Sequence, residues 1–398
     1  MGAAPAAVHA EQIAEVPSSG GTDAEELHCT SDMTTAALSV RILPARIRCH
    51  YRPILLAIAA VALLATFWFT SRYPSLLGKA AHVSGGVASM AWASEVLHVA
   101  ADAPAWERIG AGAINWLASM RVGMTFGVLL GALLHTMLRY YPLRIGKNLY
   151  LNSLKGGLVG MPAGVCVNCS VPVACGVTRG RGQLEVALGF LFSSPNFNPV
   201  VVAMTFTAMP LAMSTTKYVV LFGVIALGVP VAVRLLTRGA PRDVIDLGAA
   251  CAIDARPRDD CDEPLSKVLR ELGTEYAKNA WTLTKPTITL MVVAALAASA
   301  TLTYLPLDAL LAHPTPLRMA IASVVSVFLP VPIALDVMFA AQLQAHAIAP
   351  GYVMLFLMTL GTFSIIPTIY LWREVSKRLA VGLFLFFVVL GFVSGLVF

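Results

Sequence analysis

Long apolar runs, most of them bounded by arginine or lysine residues, account for the greater part of the chain. A run of roughly 20 apolar residues is long enough for a helix to cross the hydrocarbon core of a bilayer. Runs of about this length cover residues 53–70, 114–138, 183–210, 217–236, 283–305, 351–371 and 379–398. Two further apolar stretches, 155–181 and 319–348, are interrupted by proline, which breaks a helix. The pattern predicts an all-α polytopic membrane protein with about 8–10 helical elements.

The composition and the placement of charge agree with this prediction. Hydrophobic residues make up 57% of the chain and charged residues only 13%, whereas about a quarter of the residues of a soluble domain are charged. The net charge of +6 arises from basic residues beside the apolar runs, as in the cytoplasmic loops of membrane proteins. We therefore expect the protein to lie in a lipid bilayer, and we exclude a nucleic-acid partner. The charge bias predicts a multi-pass protein of the cell (inner or plasma) membrane with a cytoplasmic N-terminus.

Composition also changes along the chain and divides it into five parts. The first part is polar and has no apolar run after a basic start, so it predicts a disordered tail rather than a cleaved signal. The five parts are a cytoplasmic tail (1–52), a first span with an external loop (53–108), a first repeat (109–238), a cytoplasmic linker with an amphipathic helix lying on the membrane surface (239–282), and a second repeat (283–398).

The two repeats are inferred from one constant spacing. The segment Pro162–Asn168 aligns with Pro330–Asp336, 168 positions later, and the same spacing pairs Pro199 with Pro367. Flanking basic residues indicate that the first hairpin enters from the cytoplasm. The span 283–305 then crosses outward, so the second hairpin enters from outside. The sequence therefore predicts two inverted-topology repeats with re-entrant hairpins broken by proline, an arrangement that places substrates near the bilayer midplane.

The apolar stretch from Gly160 to Pro199 also contains three cysteines. Cys166 and Cys169 are three positions apart, so on a helical turn they share a face and could chelate one soft metal ion. Cys175 could reach the same place only if the chain bends after Pro172. The chain has seven cysteines, and an odd number argues against a disulfide framework. Packing of the cysteines as small apolar residues stays open as an alternative.

Four polar side chains complete the candidate site. Asn168, Asn196 and Asn198 can donate and accept hydrogen bonds, either to a substrate or to backbone groups that the prolines leave unpaired. Asp336 lies in the second hairpin, and a carboxylate at membrane depth costs at least about 2.5–3.5 kcal/mol. We therefore predict that Asp336 binds a coupling proton or cation, although a position near the outer interface stays open.

These motifs resemble a known family. The pattern Cys166-Val-Asn-Cys-Ser-Val-Pro-Val-Ala-Cys-Gly, a basic-glycine turn, and Ser194-Pro-Asn-Phe-Asn-Pro199 is similar to the predicted-permease family that includes the organoarsenical efflux permeases. The resemblance implies a polytopic permease that exports trivalent arsenicals or soft metal ions. It also implies that Cys166 and Cys169 match the cysteine cluster of the family. The Cys-x-x-Cys spacing and the cysteine-free second repeat depart from its usual pattern.

The sequence therefore predicts a secondary transporter rather than an enzyme. Its substrate-binding residues would be Cys166, Asn168, Cys169, Cys175, Asn196 and Asn198, with Cys166 and Cys169 as metal ligands and Asp336 as the coupling residue. The substrate would be a small inorganic or organometalloid species, and no resident cofactor is expected. A membrane thiol-disulfide oxidoreductase and a metal-delivery assembly factor are the alternatives. Assembly into a homo-oligomer is left open.

Overall fold

A computed structural model describes residues 51–84, 96–100, 103–141, 146, 148–179, 183–236, 264–304 and 307–398. The predicted N-terminal tail, except for its last two residues, and the predicted linker through residue 263 lie outside the described residues. No strand occurs in the described ranges, where every regular element is helical.

The helices are numbered here in chain order. Two π-helical turns, Trp68–Arg72 and Val224–Gly228, continue the helices on either side of them. The helices are α1 (Tyr51–Phe67), α2 (Tyr73–Ser84), α3 (Ala105–Tyr140), α4 (Leu149–Ala163), α5 (Val167–Arg179), α6 (Leu184–Asn196), α7 (Pro199–Ala208), α8 (Leu211–Gly223), α9 (Val229–Leu236), α10 (Leu265–Tyr304), α11 (Leu307–Leu311), α12 (Pro316–Phe328), α13 (Leu335–Ala345), α14 (Pro350–Thr359), α15 (Ile365–Glu374) and α16 (Lys377–Val397).

The described residues include five helical segments that are long and apolar enough to cross a membrane. The bent pair α6–α7, whose axes differ by 47°, makes a sixth if the two helices are taken as one span. The five segments are Tyr51–Gly78, Ala105–Tyr140, Leu211–Leu236, Leu265–Tyr304 and Lys377–Val397. The prediction of an all-α polytopic membrane protein is therefore confirmed.

Short helices lie between the spans in both halves of the chain. The helices α4 to α7 and α12 to α15 have 10–15 residues each. At 1.5 Å per residue, each is shorter than the roughly 30 Å of bilayer hydrocarbon. The breaks inside each set are buried at residues 164–166, 198, 329–334 and 360–364, and irregular backbone at membrane depth is tolerated where protein surrounds it.

The order of helices repeats along the chain. The helices α12 to α15 begin 166–168 residues after α4 to α7, respectively. The first set follows the long helix α3, the second follows the long helix α10 and the short α11, and an apolar spanning helix comes after each set. This spacing agrees with the 168-residue spacing seen in the sequence. The opposite orientation of the two halves in the membrane stays a prediction.

Two predicted elements differ from the structure. The predicted span 351–371 is divided into α14 and α15, because Ser364 caps α15 by accepting a hydrogen bond from the Ile366 backbone N–H. The amphipathic helix expected on the membrane surface is instead the beginning of α10, which continues without a break to Tyr304.

The apolar face of the first turns of α10 is covered by protein rather than by lipid. Val268 and Leu272 pack with Leu56 of α1 and Leu133 of α3 in one buried cluster. The polar face of these turns also contacts α1, because Glu271 accepts a hydrogen bond from Arg52 at 2.9 Å. The side chain of Glu275 also forms an ion pair with Arg139.

Candidate functional site

The helix breaks of the two halves meet through side-chain hydrogen bonds. Asn168, at the beginning of α5, donates from Nδ2 to the Val331 carbonyl at 3.1 Å and accepts at Oδ1 from the Ser364 hydroxyl at 2.6 Å. Trp116 of α3 donates from its indole N–H to the Pro330 carbonyl at 2.7 Å. Carbonyls freed by the break between α12 and α13 are thus satisfied by residues of the first half.

The other two predicted asparagines also lie at breaks and are buried. Asn196, the last residue of α6, accepts at Oδ1 from the Thr362 hydroxyl at 3.4 Å and donates to the Phe192 carbonyl. Asn198 caps α7, because its Oδ1 accepts from the Val200 backbone N–H at 3.0 Å. All three asparagines therefore satisfy backbone or side-chain groups of the protein, and contact of any of them with a substrate stays a prediction.

Gly164 makes the turn between α4 and α5, just before the cysteine pair. Its φ of 57° lies in the left-handed region, which a residue without a Cβ adopts readily. A Cβ added there would lie 2.6 Å from Nδ2 of Asn198 and 2.7 Å from a ring carbon of Trp68. The turn is therefore held between α7 and the π-helical segment after α1, and it fixes the position of the residues that follow.

Cys166 and Cys169 are joined by a disulfide bond. Two thiols were expected in this place from the sequence, whereas the structure describes the oxidised form of the pair. The Cys166 sulfur lies 3.8 Å from the sulfur of Met120 and 3.1 Å from the Cys169 backbone nitrogen. No cluster of three or more histidine, cysteine or acidic side chains suited to a metal ion occurs in the described part of the chain. Metal binding by the reduced pair stays a prediction.

The disulfide borders a cavity of about 130 Å³. The walls come from the π-helical segment and the beginning of α2, from the middle of α3, from the cysteine turn, and from the break after α12. The lining residues are Ser71, Arg72, Ser75, Ser119, Met120, Val122, Gly123, Cys166, Cys169, Pro332 and Ile333. Both halves of the chain thus contribute to the cavity.

Cys175 is separated from the other two cysteines. It is buried and has a free thiol, but it does not line the cavity. The helix α5 continues through Pro172, so six residues of helix place Cys175 roughly 9 Å further along the axis than Cys169. The bend that would bring the three sulfurs together is absent from α5.

Asp336 forms an ion pair that the sequence analysis missed. Its carboxylate accepts a hydrogen bond from the ammonium group of Lys217 in α8, and the Lys217 side chain has no exposed surface. The backbone of the break after α14 also borders this carboxylate, because a Cβ added to Gly361 would lie 3.0 Å from its Oδ1. A buried pair of charges is costly to desolvate and is rare at membrane depth unless it has a function.

A second set of polar contacts joins α5 to α15. Arg179 donates two hydrogen bonds to the carboxylate of Glu374, at 2.7 Å and 3.2 Å. The hydroxyl group of Thr178, the residue before Arg179, lies 3.0 Å from the hydroxyl group of Tyr370, which is one turn before Glu374 in α15. These contacts connect the two halves at the end of α5 that is opposite to the cysteine pair.

Comparison with known proteins places this geometry in a family. The model of the ArsP_1 family, described as a predicted permease, matches residues 111–398. The chain belongs to this permease family. The match includes the cysteine pair, Lys217 and Asp336, whereas Arg72 lies before it.

A curated relative gives a shorter match. The UPF0718 protein YraQ of Escherichia coli (strain K12) is 31% identical over 101 residues, which are 25% of this chain and 29% of that protein. The alignment therefore spans less than a third of the relative. No solved structure matches the chain.

The family assignment supports a membrane permease rather than an enzyme. It agrees with the helical spans and with a cavity at the junction of the two halves. Lys217 could have been found from the sequence, because it is a basic residue within a continuous apolar helix of 26 residues.

Proposed function

We propose that this permease exports a thiophilic metal or metalloid species, and that Cys166 and Cys169 bind it in their reduced form. The observation that carries the proposal is that both cysteines and Met120 line one cavity to which both halves of the chain contribute. Thiolate and thioether sulfurs are soft ligands and select soft ions over hard ones. The substrate would be a small inorganic or organometalloid species, and the protein would need no resident cofactor.

The proposed cycle requires reduction of the disulfide. The thiolate is the form of cysteine that binds metals, and a disulfide sulfur has no thiolate character. Two molecules of a low-molecular-weight thiol would convert the disulfide to two cysteine thiols and would leave as one oxidised disulfide. In this scheme the oxidised form is the inactive form of the permease.

Coupling would occur at the Lys217–Asp336 pair. A proton that binds the Asp336 carboxylate removes its charge and weakens the ion pair that connects α8 to α13. The two halves would then rock against each other around the cavity, while the Arg179–Glu374 contact between α5 and α15 opens and closes one side. We place the protein in the cell membrane with its N-terminus in the cytoplasm, as the distribution of arginine and lysine indicates.

The disulfide itself favours a second candidate function. A membrane thiol-disulfide oxidoreductase would use the Cys166–Cys169 bond as its redox centre. Such an enzyme passes electrons to another cysteine pair through a mixed disulfide. In the described residues the one further cysteine is Cys175, and it is buried within α5 away from the cavity. A transport assay separates the two functions.

Transport can be measured in inside-out membrane vesicles under reducing conditions. We expect vesicles with the wild-type protein to accumulate arsenite. Vesicles with a Cys166→Ser variant should accumulate none, because only one thiol of the pair is left to bind the substrate. The matched control is Cys175→Ser, which removes a buried thiol that does not line the cavity and is expected to keep wild-type accumulation. Equal loss in the two variants, or no accumulation by the wild type, would contradict the proposal.

Filling the cavity should have a similar effect without changing any sulfur. A Cβ added to Gly123 would lie 2.9 Å from the Cys169 sulfur, so Gly123→Ala places a methyl group against the binding atoms. We expect at least a tenfold loss of arsenite affinity, equal to about 1.4 kcal/mol of binding free energy. Gly110→Ala is the control, since nothing lies within 4 Å of its added Cβ. Wild-type affinity in Gly123→Ala would exclude the cavity as the binding site.

A further inference from the structure

Arg72 is buried in the wall of the cavity without an acidic partner in the described residues. It lies in the π-helical segment after α1, its exposed fraction is 8%, and it belongs to none of the ion pairs of the described ranges. Its Nε is buried and has no hydrogen-bond partner among those residues. The guanidinium carbon instead lies 4.9 Å from the centre of the Phe67 ring. A buried charge without a counter-charge is costly, so the site is suited to an anion.

The guanidinium group and the cysteine pair face the same small space. The position that a Cβ of Gly123 would take lies 2.9 Å from the Cys169 sulfur and 3.3 Å from Nη2 of Arg72. The Cys169 sulfur and the Arg72 guanidinium group therefore border the same space beside Gly123, and one small ligand in the cavity can touch both groups. Ser71 and Ser75 line the same cavity, and a hydroxyl group can donate a hydrogen bond to an anionic oxygen.

We propose that Arg72 binds an anionic group of the substrate while Cys166 and Cys169 bind its thiophilic atom. The permease then selects species that carry a soft metal or metalloid atom and a carboxylate, or another ionised oxygen, close to each other. This inference rests on the proposed function and names the substrate class more narrowly. Arginine is suited to the task because its planar group stays charged and can donate two parallel hydrogen bonds to a carboxylate.

The binding step is balanced without a change of oxidation state at the metalloid. For a trivalent arsonous acid, two arsenic–oxygen bonds break and two arsenic–sulfur bonds form. The two thiol protons leave with the two hydroxyl groups as two water molecules. The carboxylate of the ligand keeps its charge and pairs with the guanidinium group of Arg72. The thiols are supplied by prior reduction of the disulfide with a low-molecular-weight thiol or, in the assay, with a phosphine.

The test compares two small probes that differ by one carboxylate, methylarsonous acid and carboxymethylarsonous acid. Their affinities for the phosphine-reduced full chain in detergent are measured by titration calorimetry. We expect the carboxylated probe to bind the wild type at least about tenfold more tightly, as one charge-assisted hydrogen bond allows. Arg72→Gln should abolish that preference, so that the two probes bind the variant with affinities within about twofold of each other. Arg121→Gln is the control, because Arg121 is an exposed arginine of α3 that does not line this cavity.

The outcomes separate this inference from the proposed function. If the wild type binds methylarsonous acid but shows no preference for the carboxylated probe, the Arg72 inference is wrong and the proposed function stands. If Arg72→Gln weakens both probes equally, Arg72 has a structural role and the inference is also wrong. If neither probe binds the reduced wild type, the proposed function fails and the inference fails with it. The wild-type comparison needs no variant, so it decides the question even if Arg72→Gln does not fold.

Discussion

Replacing Asp336 alone with asparagine is expected to destabilise the protein more than replacing Asp336 and Lys217 together. The single change leaves the Lys217 ammonium group, which has no exposed surface, without its counter-charge. Removing one partner of a buried ion pair costs about 3–5 kcal/mol. In the double variant Asp336→Asn, Lys217→Gln, two neutral amides replace the charges and can keep one hydrogen bond.

This expectation is checked by thermal unfolding of the purified variants in one detergent. The control is Lys155→Gln, which neutralises an exposed lysine of α4 and should change the unfolding temperature little. We expect the single Asp336 variant to unfold at a clearly lower temperature than the double variant. Wild-type stability of the single variant, or equal destabilisation of the single and double variants, would show that the pair does not hold α8 to α13.

The stability result also bears on how transport data are interpreted. Loss of transport in Asp336→Asn alone would not identify a coupling residue, because the variant is expected to be less stable. The double variant removes this ambiguity, since it lacks a proton-binding carboxylate but has no unpaired charge. If the double variant folds and no longer couples transport to a proton gradient, the coupling role of Asp336 is supported.

Much of the fold could be predicted from the sequence because membrane spans are set by simple physical limits. The apolar runs and their basic ends predicted the spanning helices, and prolines predicted the breaks near Gly164 and Asn198. The break between α14 and α15 was missed, although Pro367 lies in the first turn of α15 and aligns with Pro199 of the first repeat. Hydroxyl side chains at Thr362 and Ser364 make that break, and their hydrogen bonds to Asn196 and Asn168 become visible only when the chain is folded.

The candidate site could be predicted in part for a similar reason. A cysteine pair and an acidic residue are unusual within apolar segments, so Cys166, Cys169 and Asp336 could be identified as candidate site residues from the sequence alone. Lys217 and Arg72 were overlooked, because they lie at the ends of the predicted runs 217–236 and 53–70, where basic residues are usual. Their burial depends on helices that are distant in the sequence: α13 for Lys217, and α3 and α5 for Arg72.

The second large effect is expected from the cysteine pair itself. Two thiolates share one soft atom only if both are present and reduced, because the ligand is held by two sulfur bonds at once. We therefore expect the double variant Cys166→Ser, Cys169→Ser to lose retention of a soft element completely. Serine keeps the size of the side chain and replaces a soft sulfur with a hard oxygen, so the fold should be preserved.

The most direct measurement is elemental mass spectrometry of the purified protein after exposure to trivalent arsenic, copper(I) or zinc and removal of the excess. The protein is compared in its reduced and oxidised forms, beside the double cysteine variant and the Cys175→Ser control. The account predicts that the reduced wild type and the control retain one soft element in equal amounts, and that the oxidised wild type and the double variant retain none. Retention by the double variant, or an absence of retention by the reduced wild type, would contradict a thiolate substrate site at Cys166 and Cys169.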